Sequence, residues 1–172
     1  LKKIERVRSK TIGKLIVKEF PTASAGSANF RHLLNELRIK KNFIPDVLYI
    51  DYLNICASSR MKMGPSVNSY TYIKAIAEEL RGLGIEFNIP VITATQTNRQ
   101  GYGNSDVELT DTSESFGLPQ TADLMFAVIA SDEMAALNQV MVKQLKNRYA
   151  PTEFHKRFVV GIDKSRMRLY DV

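Results

Sequence analysis

The chain has one cysteine, Cys56, among its 172 residues, so no internal disulfide can form and the composition suits a reducing cytoplasm. No apolar run approaches the roughly 20 residues that span a bilayer, which excludes a membrane helix from the reading. The opening residues, Leu1-Lys2-Lys3-Ile4-Glu5-Arg6, have neither a Met nor the apolar stretch of a signal peptide, and the expectation is a chain that starts inside something longer. The two histidines, His32 and His155, lie far apart without metal-ligand spacing and are expected at the surface. Cys56 has no His or acid pattern around it that marks a nucleophile, so it reads as a small buried residue. No internal repeat, low-complexity tract or second domain is visible.

What remains is an ordinary globular composition. A hydrophobic fraction of 44% and a charged fraction of 24% give one domain with a sizeable core. The net charge of +6 is unevenly spread. Residues 1–41 carry 11 Lys/Arg against 3 Asp/Glu, residues 42–136 carry 5 against 12, and residues 137–172 carry 8 against 3. Basic proteins often meet polyanions, but an acidic middle third means that charge alone does not establish nucleic-acid binding.

The order of elements is more informative. Leu15 to Phe20 is a strand-like run closed by Pro21, and a turn-rich stretch follows from Thr22 to Ser27. Phe30, Leu33, Leu34 and Leu37 recur at helical spacing. Val47-Leu48-Tyr49-Ile50 is unbroken and apolar, as suits a strand buried on both faces of a parallel sheet, and it ends in Asp51. Ile73, Ile76, Leu80, Leu83 and Phe87 form one stripe of a long helix. A second strand, Val91 to Gln96, follows, giving the strand–helix–strand pattern of a parallel α/β sheet. Residues Thr97 to Gln120 are polar and long for a loop in a compact domain, a length that usually has a functional cause. Further strands are expected at Leu124–Ile129, Val140–Leu145 and Phe158–Ile162. A turn at Lys164-Ser165-Arg166 leads into the last one, Met167 to Tyr170.

Three strands end in polar residues that an apolar core does not require: Asp51, Gln96 and the pair Lys146/Arg148. Ligands of open α/β sheets gather at the carboxyl ends of strands, so these residues point to one shared site. A strand-end aspartate can hold magnesium beside a nucleotide phosphate, or simply cap a turn. A strand-end glutamine can bond a terminal phosphate or an attacking water, or pair with loop backbone. Lys146 and Arg148, two apart on an extended segment, face the same side. They can serve a phosphate on a neighbouring molecule, or be solvated hairpin cations.

In order and spacing, Val47 to Leu53, the long helix, Pro90 to Arg99, Gln120-Thr121-Ala122-Asp123 and Lys146-Asn147-Arg148-Tyr149-Ala150-Pro151-Thr152 resemble the DnaB-like family of hexameric replicative helicases. The similarity covers roughly residues 45–165 and is strongest to the T-even-type bacteriophage members. It implies a RecA-like three-layer αβα fold, with a largely parallel central sheet and an antiparallel C-terminal hairpin. It implies ATP and Mg2+ as cofactors and a homo-hexameric ring around single-stranded DNA. It also implies translocation and duplex unwinding driven by hydrolysis, with a primase and a helicase loader as possible partners. It implies no membrane role, and the cytoplasm of a bacterial host as the location if the protein is phage-encoded. Carried over residue by residue, Asp51 assists magnesium, Gln96 senses the γ-phosphate, and Lys146 and Arg148 act in the neighbouring subunit's site. The stretch around Asp111 to Gly117 is similar to the family's DNA-gripping loop. This implies DNA contacts at Glu114, Ser115, Phe116 and Gly117, with Arg60, Lys62 and Arg99 as basic supplements.

Two departures accompany the resemblance. Ser113 stands where an arginine is usual before the acid, which shifts phosphate contact toward backbone N–H groups. No G-x-x-x-x-G-K-[ST] occurs, and Thr22 to Ser27 has neither the lysine nor the spacing, so residues 1–172 are expected to be the part of the ATPase domain that follows the phosphate loop. A RecA-like recombinase shares the strand-end Asp and Gln but not the Lys-x-Arg segment followed by Pro-Thr. A non-catalytic adaptor on the same fold has no need to keep Asp51, Gln96 and Arg148 together.

Overall fold

A computed structural model describes residues 13–64, 67–96 and 117–172. The first helix, α1 (Ser27–Lys41), buries Phe30, Leu34 and Leu37, which lie among the apolar positions the spacing selects. Its N-terminus is closed by Asn29, whose side chain accepts the Gly26 N–H at 3.1 Å. At its other end Arg38, Lys40 and Lys41 complement the helix dipole, and Asn42 ends it in the left-handed conformation at φ 46°.

Strand β1 (Leu48–Ile50) leads through a short 3-10 turn (Leu53–Ile55) to helix α2 (Ser69–Phe87), and thence to strand β2 (Val91–Thr93). The Asn68 side chain caps α2 by accepting the Tyr70 N–H at 2.9 Å, and Asn88 at φ 53° ends it. The strands pair in parallel, Leu48 with Val91, Tyr49 with Ile92 and Ile50 with Thr93. The apolar stripe of α2 faces the strands and α1: Ile73, Ile76, Leu80 and Leu83 join Phe30, Leu34, Ile50 and Leu53 in one core. Ile76 and Leu83 are 1% and 0% exposed, and full burial of each such side chain contributes about 1.5–3 kcal/mol.

The rest forms a separate sheet. A short helix, α3 (Gly117–Thr121), packs on α2 and places Leu118 in the main core. Strands β3 (Leu124–Ile129), β4 (Gln139–Asn147), β5 (Arg157–Asp163) and β6 (Arg168–Asp171) follow as an antiparallel meander. The antiparallel part is therefore four strands rather than a hairpin. A short helix, α4 (Asp132–Ala136), joins β3 to β4, its first turn capped by Ser131. The carboxylate of Asp163 accepts hydrogen bonds from Ser165 and Arg166 and so fixes the turn into β6.

One expected strand is not formed. Residues 15–20 have no regular structure, and Leu15 and Val17 are each 83% exposed. A strand needs a neighbour for its N–H and C=O groups, and this run has none among the described residues. The turn-rich stretch after it is held instead: Ala23 N–H bonds Ile55 O at 2.9 Å, and Ala57 N–H bonds Ala25 O at 2.8 Å. Beside these two bonds Gly26 lies so close to the chain that a Cβ there would stand 2.0 Å from Ala57 O.

Candidate functional site

The carboxyl ends of β1 and β2 are interlocked beyond the strands themselves. The Thr93 hydroxyl donates to Ile50 O at 2.8 Å, Leu53 N–H to Ala94 O at 3.1 Å, and the Thr95 hydroxyl to Asn54 Oδ1 at 2.9 Å. Beyond Thr93 the regular ladder gives way to these side-chain and loop-backbone bonds, and the second strand ends short of Gln96. The Gln96 amide donates to the Tyr52 hydroxyl at 3.3 Å, placing the glutamine beside the residue that follows Asp51. The Asp51–Tyr52 peptide is cis. Asp51 and Gln96 are both exposed at this strand end, so the two residues read from separate strands do share one place.

Asp51 is a lone carboxylate with respect to metal binding. Among the described residues no group of three or more His, Cys, Asp and Glu side chains could hold an ion. That donor set suits Mg2+, which keeps water and phosphate oxygens and takes only one or two carboxylates from the protein. Cys56 is buried, and burial pushes its thiol pKa up, as expected for an inert packing residue. His155 is exposed, and so is His32.

Lys146 and Arg148 lie at the end of β4, in the other sheet. Both reach the same short segment: the Lys146 ammonium donates to Pro119 O in α3, and the Arg148 guanidinium pairs with Asp123 at 2.7 Å. Asn147 between them builds the turn that follows, its Oδ1 accepting the N–H groups of Tyr149 at 2.9 Å and Ala150 at 3.1 Å. Asp123 also receives Arg81 of α2 at 2.8 Å, and the Arg81 guanidinium donates to Thr121 O at 2.7 Å.

The basic supplements separate. Arg60 donates to Glu78 at 2.8 Å and Ala75 O at 3.0 Å, and stands 3.6 Å from Glu79. Lys62 is exposed. Gly117 is buried under the Lys74 side chain, where a Cβ would meet Lys74 Cδ at 2.7 Å. Arg99, Ser113, Glu114, Ser115 and Phe116 lie outside the described residues.

Sequence reasoning missed two features. One is the Asp123–Arg81 pair: the Gln120-Thr121-Ala122-Asp123 segment stands out in the sequence, but nothing in it names Arg81 as the partner. The other is Glu79, whose carboxylate accepts the hydroxyls of Ser27 at 2.7 Å and Ser58 at 2.5 Å and the Ser59 N–H at 2.9 Å. Burial raises its pKa, but these bonds and the Arg60 N–H outweigh burial and lower it to about 2.

A family model described as the DnaB-like helicase C terminal domain matches residues 3–166. The chain is 46% identical over 171 residues to the DnaB-like replicative helicase of Enterobacteria phage T4, covering 99% of this chain and 36% of that protein. This chain belongs to the DnaB-like helicase family. It is also 29% identical over 135 residues to a probable plasmid replicative DNA helicase of Chlamydia psittaci, covering 77% of this chain and 28% of that protein. The chain therefore spans about a third of the length of the curated relatives it matches.

Solved structures agree on the RecA-like ATPase fold of this DnaB-like domain. One, described as an ATPase domain, superposes with a TM-score of 0.71 at 20% identity, covering 86% of this chain and 52% of that one. A DnaB-like replicative helicase, described with its interactions with primase, superposes with a TM-score of 0.73 at 21% identity, covering 89% and 37%. Among the described residues no helix is long and apolar enough to cross a membrane.

Proposed function

We propose that this chain forms the metal-side, phosphate-sensing and neighbour-facing part of a replicative helicase motor. The whole protein couples ATP hydrolysis to translocation on single-stranded DNA and to duplex unwinding, as a ring of six subunits in the cytoplasm. Primase and a helicase loader are its partners. The observation that carries the reading is that Asp51 and Gln96 follow two neighbouring parallel strands, with Gln96 hydrogen-bonded to Tyr52, the residue next to Asp51.

In this reading Asp51 holds a water or oxygen of the Mg2+ sphere, and the ion supplies charge neutralisation on the phosphates. Gln96 hydrogen-bonds the terminal phosphate. Its contact with Tyr52 ties that bond to the residue beside Asp51, so both polar groups answer to one bound nucleotide. Lys146 and Arg148 serve the site of the next subunit, where an arginine lowers the energy of charge spread over the transferring phosphoryl group. A finger that must meet a neighbour's nucleotide implies a heterologous, closed ring.

Two measurements test this. In the full-length protein Arg148→Ala abolishes DNA-stimulated hydrolysis and spares nucleotide binding by a single subunit; loss of that binding instead puts Arg148 in its own subunit's site. The 172-residue chain alone lacks a G-x-x-x-x-G-K-[ST] cradle, so it binds ATP poorly and hydrolyses it negligibly. A clear DNA-stimulated rate from the purified chain contradicts the reading.

A further inference from the structure

One carboxylate gathers three elements. Asp123 follows α3 and opens the way into β3, and its Oδ2 accepts Nη1 of Arg81 at 2.8 Å. The same Arg81 nitrogen donates to Thr121 O at 2.7 Å, so the guanidinium also satisfies a carbonyl at the C-terminal end of α3. On its other side Asp123 meets Arg148 twice. The Arg148 N–H donates to Asp123 O at 2.9 Å, and Arg148 Nη1 stands 2.7 Å from Oδ1.

The two sides are not equivalent. Arg81 donates along a good hydrogen-bond direction, whereas Oδ1 is buried and receives no aligned hydrogen bond. Its contact with Arg148 is therefore a close ion pair, which confines the guanidinium to this edge while leaving its hydrogen-bond donors unaligned with the carboxylate. The Arg148 side chain keeps 45% of its surface exposed. A guanidinium has five N–H donors, so pairing through one nitrogen at one edge leaves donors over for an outside acceptor.

We propose that Asp123 is a positioning residue for Arg148, and that Arg81 braces Asp123. The inference rests on the reading of Arg148 as a group that acts on a neighbouring subunit's phosphate. Asp123 holds one edge of the guanidinium against its own subunit and so turns the other edge outward. A long side chain held in this way loses less rotamer freedom when it reaches the phosphate, which favours the transition state over a free-swinging arginine. Arg81 belongs to α2, the helix that connects the strands bearing Asp51 and Gln96. The brace therefore refers the outward-facing arginine to the same frame that carries the subunit's own strand-end residues.

The test uses the full-length, assembled protein with single-stranded DNA. It reads kcat and KM for ATP, together with the affinities for ADP and for ADP–aluminium fluoride, a mimic of the transferring phosphoryl group. Asp123→Asn is expected to lower kcat about tenfold while KM stays within about twofold, the pattern of an interaction made only in the transition state. Affinity for ADP–aluminium fluoride falls by a similar factor and ADP affinity is unchanged. Asp123→Glu, which keeps the charge but moves it, gives an intermediate kcat. Because Asp123 acts through Arg148, its substitution adds little to the loss in an Arg148→Lys background.

Wild-type kcat in Asp123→Asn overturns the proposal, and so does an equal loss in the Arg148→Lys background or a rise in KM at constant kcat. Should Asp123→Asn fail to assemble, Asp123→Glu and Arg81→Lys carry the test, and wild-type kcat in both overturns it. An unaffected Arg148→Ala defeats the reading of Arg148 and this inference with it. A dead Arg148→Ala beside a wild-type Asp123→Asn defeats the positioning role alone.

Discussion

Glu79 of α2 and Ser27, the first residue of α1, are joined by a hydrogen bond of 2.7 Å across 52 positions of chain. The same carboxylate takes the Ser58 hydroxyl and the Ser59 N–H from the loop after the 3-10 turn. One acid thus closes the start of α1, the middle of α2 and the segment that leaves the Asp51 strand end.

This arrangement gives a pH dependence with a definite sign. Burial opposes ionisation of Glu79, but the Ser58 and Ser27 hydroxyls and the backbone N–H groups hold its pKa at about 2, below the ordinary value of 4.5. A depressed folded-state pKa contributes stability that is present above the unfolded value and is lost as pH falls through the folded one. Urea denaturation of the chain should therefore show stability falling from about pH 4.5 toward pH 2. Glu79→Gln should flatten that part of the curve and cost about 1.5–3 kcal/mol at neutral pH, the range for hydrogen bonds to a charged group. A variant with the wild-type slope removes Glu79 as its cause.

Two close glycine contacts should answer differently to the same substitution. At Gly26 an added Cβ meets the backbone oxygen of Ala57, which is itself held by the pairing of residues 23–25 with 55–57. Gly26→Ala must displace main chain and should cost about 3 kcal/mol, the upper range of core overpacking. At Gly117 the two shortest contacts of the Cβ are with Lys74 Cδ and Cγ, which a rotamer change can move, and only the 3.1 Å contact with Lys74 Cβ is fixed. Gly117→Ala should cost less than about 1 kcal/mol, and alanine's better helix propensity offsets part of it. Equal losses in urea unfolding would contradict this contrast.

These residues mark where the sequence is readable. Helices α1 and α2 stand out because Phe30 to Leu37 and Ile73 to Phe87 repeat at helical spacing. The strand β3 stands out as an unbroken apolar run. Helix α4 is not legible, since five residues show no period. Residues 15–20 have strand composition without a partner among the described residues, and composition cannot report a missing neighbour. Asp51 and Gln96 stand out because each closes an apolar run, although the second strand itself ends at Thr93. The partners of Asp123 and Glu79 are not legible, because Arg81 and Ser27 lie 42 and 52 positions away and no local pattern encodes such pairs.

The Gln96–Tyr52 contact predicts a graded pair of variants in the full-length protein. At 3.3 Å on an exposed strand end, the hydrogen bond orients the amide rather than stabilising the fold. Tyr52→Phe should lower DNA-stimulated kcat by less than about threefold, consistent with a net neutral hydrogen bond of roughly 0.5 kcal/mol. Gln96→Ala, which in the proposed function removes the phosphate contact, should cost about 100-fold or more, in the range seen when a transition-state donor is lost. If Tyr52→Phe is the more severe of the two, the hydroxyl has a role of its own beyond orienting the glutamine.

Arg60 and Lys62 separate in the same way, by what already neutralises them. The Arg60 guanidinium is taken by Glu78, by the Ala75 carbonyl and at longer range by Glu79, whereas Lys62 is exposed. A cation already paired with carboxylates releases little counterion when a phosphate approaches, and a free one releases about one per contact. In the full-length protein, Lys62→Ala should weaken single-stranded DNA binding about equally for all sequences and reduce the salt slope by roughly one unit. Arg60→Ala should leave that slope nearly unchanged. Its cost appears in unfolding, at about 1 kcal/mol, because a half-exposed ion pair contributes no more than that. A salt titration of both variants decides the matter: a loss of slope at Arg60 and none at Lys62 reverses the assignment and means that the Glu78 pair opens to admit the phosphate.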